Sequence, residues 1–190
     1  MGVHLYQVSP TVPGAKYDPD CYIDLMTDVV DKTTRSRMMA GIRATNTKPE
    51  MLVRRALHAR GFRFRIHDKR LPGRPDVVLP KWKTAIQVHG CFWHRHSGCA
   101  KATNPSSNAS FWAKKFQANV ERDAVAVEGL MEKGWRILVV WECSLDKVRM
   151  EEAIDIIEDF IRLGPNHSVR FAEVGWPDFA IDEAKDFRSG

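Results

Sequence analysis

No uninterrupted apolar stretch in these 190 residues approaches the length that crossing a bilayer demands. The first twenty residues, MGVHLYQVSPTVPGAKYDPD, also lack the basic start and apolar block of a secretory leader. A membrane protein is therefore not expected, and the reading is cytoplasmic. Cysteine is scarce, with four residues, Cys21, Cys91, Cys99 and Cys143. In a reducing compartment these are better read as metal ligands than as structural disulfides. Internal repeats and low-complexity blocks are absent, which excludes a repeat architecture.

What is present describes a globular chain. Hydrophobic residues make up 44% and charged residues 28% of the sequence, enough apolar surface to offset chain entropy, so wholesale disorder is excluded. The length suits one sizeable core and not two. A formal net charge of +5 and a pI near 9.1 favour a polyanionic partner, because Lys and Arg that neutralise phosphates release counterions.

Residues 1–30, with Pro10, Pro13, Gly14 and Pro19, read as an arm, and residues 164–190 as a C-terminal tail with no assigned function. Between them, residues 31–163 are expected to form one α/β domain. A basic stretch from Thr33 to Ala44 precedes Thr47-Lys-Pro-Glu50, a capping-box start for a helix whose buried face carries Leu52, Val53, Ala56 and Leu57 and which Gly61 ends. Phe62, Phe64 and Ile66 alternate with Arg63, Arg65 and His67, the pattern of a half-buried strand. Asp76 to Val88 reads as two further strands around a Pro-Lys turn. Trp112, Phe116, Val120, Val127 and Leu130 recur at helical spacing until Gly134; Arg136 to Trp141 is a strand covered on both faces; a last helix ends near Gly164. Strand 84–88, helix 111–133 and strand 136–141 then form a crossover with parallel strands, within a mixed central sheet flanked by helices on both faces.

Two constellations carry chemistry. Cys91, His96 and Cys99, with Cys143 beyond the parallel strand, offer three thiolates and an imidazole emerging at one sheet edge, the ligand set of a closed tetrahedral zinc site. With all four positions filled by protein, that metal is structural. Cys21 has no partner and reads as a free thiol. Separately, Leu71-Pro-Gly-Arg-Pro-Asp76 leads an acid into a strand, and on the next strand Gln87 and His89 share one face with the Val88 carbonyl between them.

This second pattern resembles the restriction-endonuclease-like nucleases. The whole set, LPGRPD, HGCFWH, FW…NVERD and GWR…VWEC, resembles the very short patch repair (Vsr) endonucleases in order and spacing over about residues 31 to 163. The resemblance implies one structural zinc and a magnesium-dependent enzyme that nicks 5′ to the thymine of a T·G mismatch in double-stranded DNA. It further implies a functional link to a cytosine methyltransferase and to mismatch repair proteins, association with the nucleoid, and a monomer. Carried over residue by residue, Asp76 is the magnesium carboxylate and the Val88 carbonyl a second ligand. His94 is the general base, His89 assists at the scissile phosphate, and Glu50 matches the acid near the metal waters, besides its capping role. Phe92, Trp93 and Trp112 match wedges that enter the base stack beside the mispair, whereas Phe111 is expected in the core. Arg35, Arg37 and Met39 fall in the stretch resembling a minor-groove clamp.

The sequence departs from that family where Gln87 replaces an apolar residue, where Val88 replaces a threonine, and where one extra residue separates His96 from Cys99. Gln87 leaves open an added oxygen ligand, and with it a site-specific nicking or restriction-like endonuclease on paired DNA. A noncatalytic zinc-containing DNA-binding module is the remaining alternative. Binding alone does not require Asp76, His89 and His94 together.

Overall fold

A computed structural model describes residues 45–175 together with Thr33, Thr34 and Arg37. Helix α1 (Lys48–Ala59) starts at the expected capping box. Thr47 Oγ1 accepts from the Glu50 backbone N–H, and the Glu50 carboxylate accepts from the Thr47 N–H. Its inward face buries Val53 and Leu57 completely, and Gly61 ends the turn at φ +85°.

The alternating segment that follows does not become a strand of the sheet. Phe62 is buried, but Arg65 and Val78 form one isolated antiparallel bridge and Ile66 is 49% exposed. The reason is local: His67 and Arg74 both take φ +48°, which bends the chain out of the extended region before a ladder can grow.

Strand β1 (Val77–Leu79) runs antiparallel to β2 (Thr84–His89) across a 3-10 turn at Pro80–Trp82, with Lys83 left-handed at φ 49°. The short helix α2 (Cys91–His94) and the long helix α3 (Ala109–Glu132) cross back to β3 (Arg136–Trp141), which pairs with β2 in parallel and in the register His89↔Trp141. Helix α4 (Met150–Arg162) then leads to β4 (Phe171–Val174), parallel to β3, giving the sheet order β1-β2-β3-β4. The expected mixed sheet with a parallel crossover is what forms. The C-terminal boundary expected at residue 163 is too early, because β4 is an integral edge strand.

Strand alternation divides the core in two. Leu138 and Val140 of β3, Ile86 of β2 and Ala172 and Val174 of β4 pack against α1 and α4, including Leu57, Ile157 and Phe160. Ile137, Val139 and Trp141 face the other way, with Ala85, toward Leu130 on α3. Arg136, 1% exposed, fastens the approach to β4: its Nε donates to the Val169 carbonyl at 3.0 Å and its guanidinium lies 4.0 Å over Phe160. Burial pushes that guanidinium down to about 10.

Candidate active site and metal cluster

Because β2 and β3 are parallel and in register, the residues that follow them leave the sheet at one edge. Cys91 opens α2 directly after β2, and Cys143 lies in the 3-10 turn Glu142–Leu145 directly after β3. His96 Nδ1 is 3.6 Å from Cys91 Sγ and 3.3 Å from Cys143 Sγ, and the donor atoms of Cys91, His96, Cys99 and Cys143 all lie within 4.8 Å of one another. Tetrahedral zinc, at ~2.3 Å from sulfur and ~2.0 Å from nitrogen, sets its ligand atoms about 3.5–3.8 Å apart, so this donor set fits the ion. The hydrogen bond to Cys143 and burial together push the Cys91 thiol far up from its ordinary range.

The His96 ring is clamped. It stacks on Trp141 with centroids 4.3 Å apart and planes 9° from parallel. On Gly175 a Cβ would sit 2.7 Å from two of the His96 ring atoms and 2.9 Å from Trp141 Cδ1, so only glycine lets the chain pass there.

His89, at the end of β2, faces α3 as the alternation requires. Its ring stacks on His94 with centroids 4.0 Å apart and planes 11° from parallel, and meets Trp141 edge-on at 5.2 Å. Burial, reinforced by the charge of His94, pushes His89 down to about 3, so it is a neutral imidazole near neutrality. His94 Nδ1 lies 2.5 Å from Asp123 Oδ2 on α3. One turn earlier, Asn119 Nδ2 donates to the Trp93 carbonyl at 2.8 Å, which ties α2 to α3.

Asp123 and Asn119 received no role from the sequence, although a signal existed. Phe116, Asn119, Asp123, Ala126 and Leu130 follow helical spacing along one face, and the two polar residues interrupt an otherwise apolar stripe.

Across from the histidines, Asp76 Oδ2 accepts from the Val88 N–H at 2.7 Å. The N–H and carbonyl of a strand residue leave the strand on the same side, so the Val88 carbonyl lies on the Asp76 side of β2. Burial, opposed by the Val88 hydrogen bond and reinforced by Glu50, pushes Asp76 up to about 6, and the charge of His94 is near enough to pull it back. Glu50, 4% exposed, joins this group: Glu50, His67 and Asp76 each bring one donor atom within 4.8 Å of the others. The capping role and the place beside Asp76 are both real.

Arg54, which the sequence did not single out, holds the group. It donates to Glu50 Oε2 at 2.8 Å and to the Asp76 carbonyl at 3.1 Å, and its NH2 lies 3.1 Å from His67 Nε2. Gln87 is 5% exposed and packs beside Gly73 and Ala126, on the α3 face with His89.

The aromatic residues form one cluster. Phe92 touches Trp93, Trp112 and Phe116 with centroids 5.1, 5.6 and 5.2 Å away. Phe116 is buried, Phe92, Trp93 and Trp112 are half-buried, and Phe111 is 58% exposed. Phe111 is therefore not the core residue expected. It opens α3, where its side of the helix points away from the sheet, and Phe116 takes the interior place. Beside it an open pocket of about 290 Å³ is lined by Phe111, Lys114, Lys115, Ala118, Asn119 and Arg122. Arg37 is exposed, while Arg35, Met39 and Cys21 lie outside the described residues. Among the described residues no helix is long and apolar enough to cross a membrane.

A mixed four-stranded sheet flanked by helices, with an acid leading into β1 and a histidine at the end of β2, has the architecture of a restriction-endonuclease-like protein. The model of the family described as DNA mismatch endonuclease Vsr matches residues 27–101. The chain is 48% identical over 120 residues to the type II nicking enzyme V.NmeAIP of Neisseria meningitidis, covering 63% of this chain and 85% of that protein. It is 44% identical over 128 residues to the type II nicking enzyme V.XorIIP of Xanthomonas oryzae, covering 67% and 93%. With the DNA mismatch endonuclease Vsr of Escherichia coli the identity is 41% over 139 residues, covering 72% and 88%. The chain belongs to the Vsr family.

Proposed function

We propose that this protein is a magnesium-dependent DNA endonuclease that nicks one strand 5′ to the thymine of a T·G mismatch. The observation that carries the reading is the His94–Asp123 pair stacked against His89 and opposite Asp76. Asp76 and the Val88 carbonyl would hold magnesium, with Glu50 turned toward its waters. The residues present fit a hard cation, because a carboxylate that burial holds up at about 6 gains most from a positive charge. When bound, magnesium supplies charge neutralisation at the phosphate and its transition state.

The rest falls to side chains of this chain. His94 takes the proton of the attacking water, and Asp123 fixes its tautomer and stabilises the imidazolium that forms. His89, kept neutral, offers an N–H to a phosphate oxygen without adding a second positive charge beside His94. Zinc at Cys91, His96, Cys99 and Cys143 would pin the loop that carries Phe92, Trp93 and His94. Phe92, Trp93 and Trp112 would wedge beside the mispair, where unstacking costs least, while Lys114, Lys115 and Arg122 meet phosphates.

A second reading, a site-specific nicking enzyme on paired DNA, is favoured by the nicking enzymes among the relatives. Nicking of end-labelled duplexes carrying T·G, U·G or fully paired bases, with and without magnesium, separates the two. The first reading expects cleavage of T·G well above paired DNA; equal cleavage of both supports the second.

A further inference from the structure

Glu173 lies on β4, outside every motif that the chemistry uses. Its Oε2 accepts a hydrogen bond from Trp141 Nε1 at 3.0 Å, and among the described residues Trp141 is its hydrogen-bond partner. The ladder Val139↔Glu173 and Val140↔Val174 fixes the backbone behind that carboxylate. Trp141, 7% exposed, is a wall common to two sites. His96 of the cysteine cluster stacks on it at 4.3 Å, and His89 meets it edge-on at 5.2 Å while stacking on His94 at 4.0 Å. Two residues beyond Glu173, Gly175 closes on the His96 ring and on Trp141 Cδ1.

The physical consequence concerns orientation. An indole held by apolar contacts alone can tilt in its slot, because dispersion falls off gradually with angle. A hydrogen bond from its N–H to a carboxylate on a paired strand removes that freedom. The position of Glu173 faces a mostly apolar layer, where a carboxylate costs desolvation that a valine would not. The hydrogen bond from Trp141 is the interaction that offsets this cost.

We propose that Glu173 is a positioning residue for the His89–His94 pair, acting through the Trp141 indole. The proposal rests on the reading that these histidines serve phosphodiester hydrolysis. Outer partners of this kind change activity by about 10–100-fold when removed.

The test compares Glu173→Gln, Glu173→Ala, Trp141→Phe and the double variant Glu173→Ala/Trp141→Phe in the full chain. Steady-state nicking of a mismatched duplex is measured alongside the ring-proton NMR resonances of His89, His94 and His96. Glu173→Ala is expected to lower kcat about 10-fold with KM changed by less than about twofold, and Glu173→Gln, which keeps an acceptor, to stay near the parent. Trp141→Phe keeps a ring and loses the N–H, so it should match Glu173→Ala, and the double variant should be no worse than either. The His89 and His96 resonances should move in Glu173→Ala and hold in Glu173→Gln. Additive losses in the double variant, a Gln variant as impaired as Ala, or unmoved histidine resonances in Glu173→Ala overturn the proposal alone. Nicking that survives His94→Ala overturns the underlying histidine reading, and the proposal with it.

Discussion

His94 Nδ1 and Asp123 Oδ2 lie 2.5 Å apart, joining the C-terminal end of α2 to the middle of α3. With Nδ1 turned to Asp123, Nε2 of the same ring is the nitrogen left to accept a proton, on a ring stacked against His89. Asp123→Asn should therefore cost about 100-fold or more in kcat, since the wrong tautomer and an unsupported imidazolium both raise the barrier. DNA affinity and melting temperature should change little, because both side chains are about a quarter exposed, 28% and 26%. Nicking and filter binding on the same protein check this, and an active Asp123→Asn would remove the pair from the mechanism.

Asp76 predicts a trade between function and stability. Its folded value of about 6 lies above the ordinary 3.8. The metal-free fold then holds its proton more tightly than the unfolded chain does. The favourable contribution is complete below about pH 4 and is lost as pH rises through about 6. Asp76→Asn, which keeps an acceptor for the Val88 N–H, should be more stable than the metal-free parent at pH 8, by at most ~3 kcal/mol, with the gain shrinking toward pH 4. Magnesium should raise the melting temperature of the parent only. Equal stability of the two proteins at pH 8 would contradict the burial argument.

Trp93 and Trp112 are half-buried where Phe116 is buried, and this separates recognition from packing. Trp93→Ala and Trp112→Ala should each lose ~1–3 kcal/mol of stacking on mismatched DNA. Phe116→Ala should instead lose ~3–5 kcal/mol of stability. Thermal melts and T·G against paired-duplex preference, taken on all three variants, distinguish these outcomes. A large fall in melting temperature with unchanged preference for the tryptophan variants would return them to the core.

The cysteine cluster should carry one zinc per chain, and its removal should unfold the segment from Cys91 to Cys99. Gly175→Ala places a methyl 2.7 Å from the His96 ring, so it should weaken zinc affinity even though residue 175 is no ligand. A loss of about 10–100-fold is expected. Elemental analysis and a competing chelator measure both. Stable, zinc-free protein, or parent affinity in Gly175→Ala, would contradict the site.

Much of this was legible because strong patterns are local or repeat with a fixed period. Apolar runs at 84–88 and 136–141, separated by one helical stretch, imposed the parallel pair, and the parallel pair brought Cys91 and Cys143 to one edge. The failures have equally specific causes. Phe62 to Ile66 has the right alternation, yet the left-handed His67 stops its ladder after one bridge. The four residues of β4, with Glu173 among them, carry too little hydrophobic pattern to announce a strand, and only the long-range partner β3 makes them one. Arg54 was hidden because its meaning lies in a contact with Asp76, 22 residues away; Asp123 showed as a polar break in the apolar stripe of α3, but its partner His94, 29 residues away, did not.

The most direct measurement is single-turnover nicking of a T·G duplex by Asp76→Ala beside the parent, with magnesium present and DNA affinity determined in parallel. The account predicts loss of cleavage by several kcal/mol of barrier, on the order of 1000-fold or more, with affinity almost unchanged, because the acid binds the cation and not the duplex. Parent-like nicking by Asp76→Ala would contradict it.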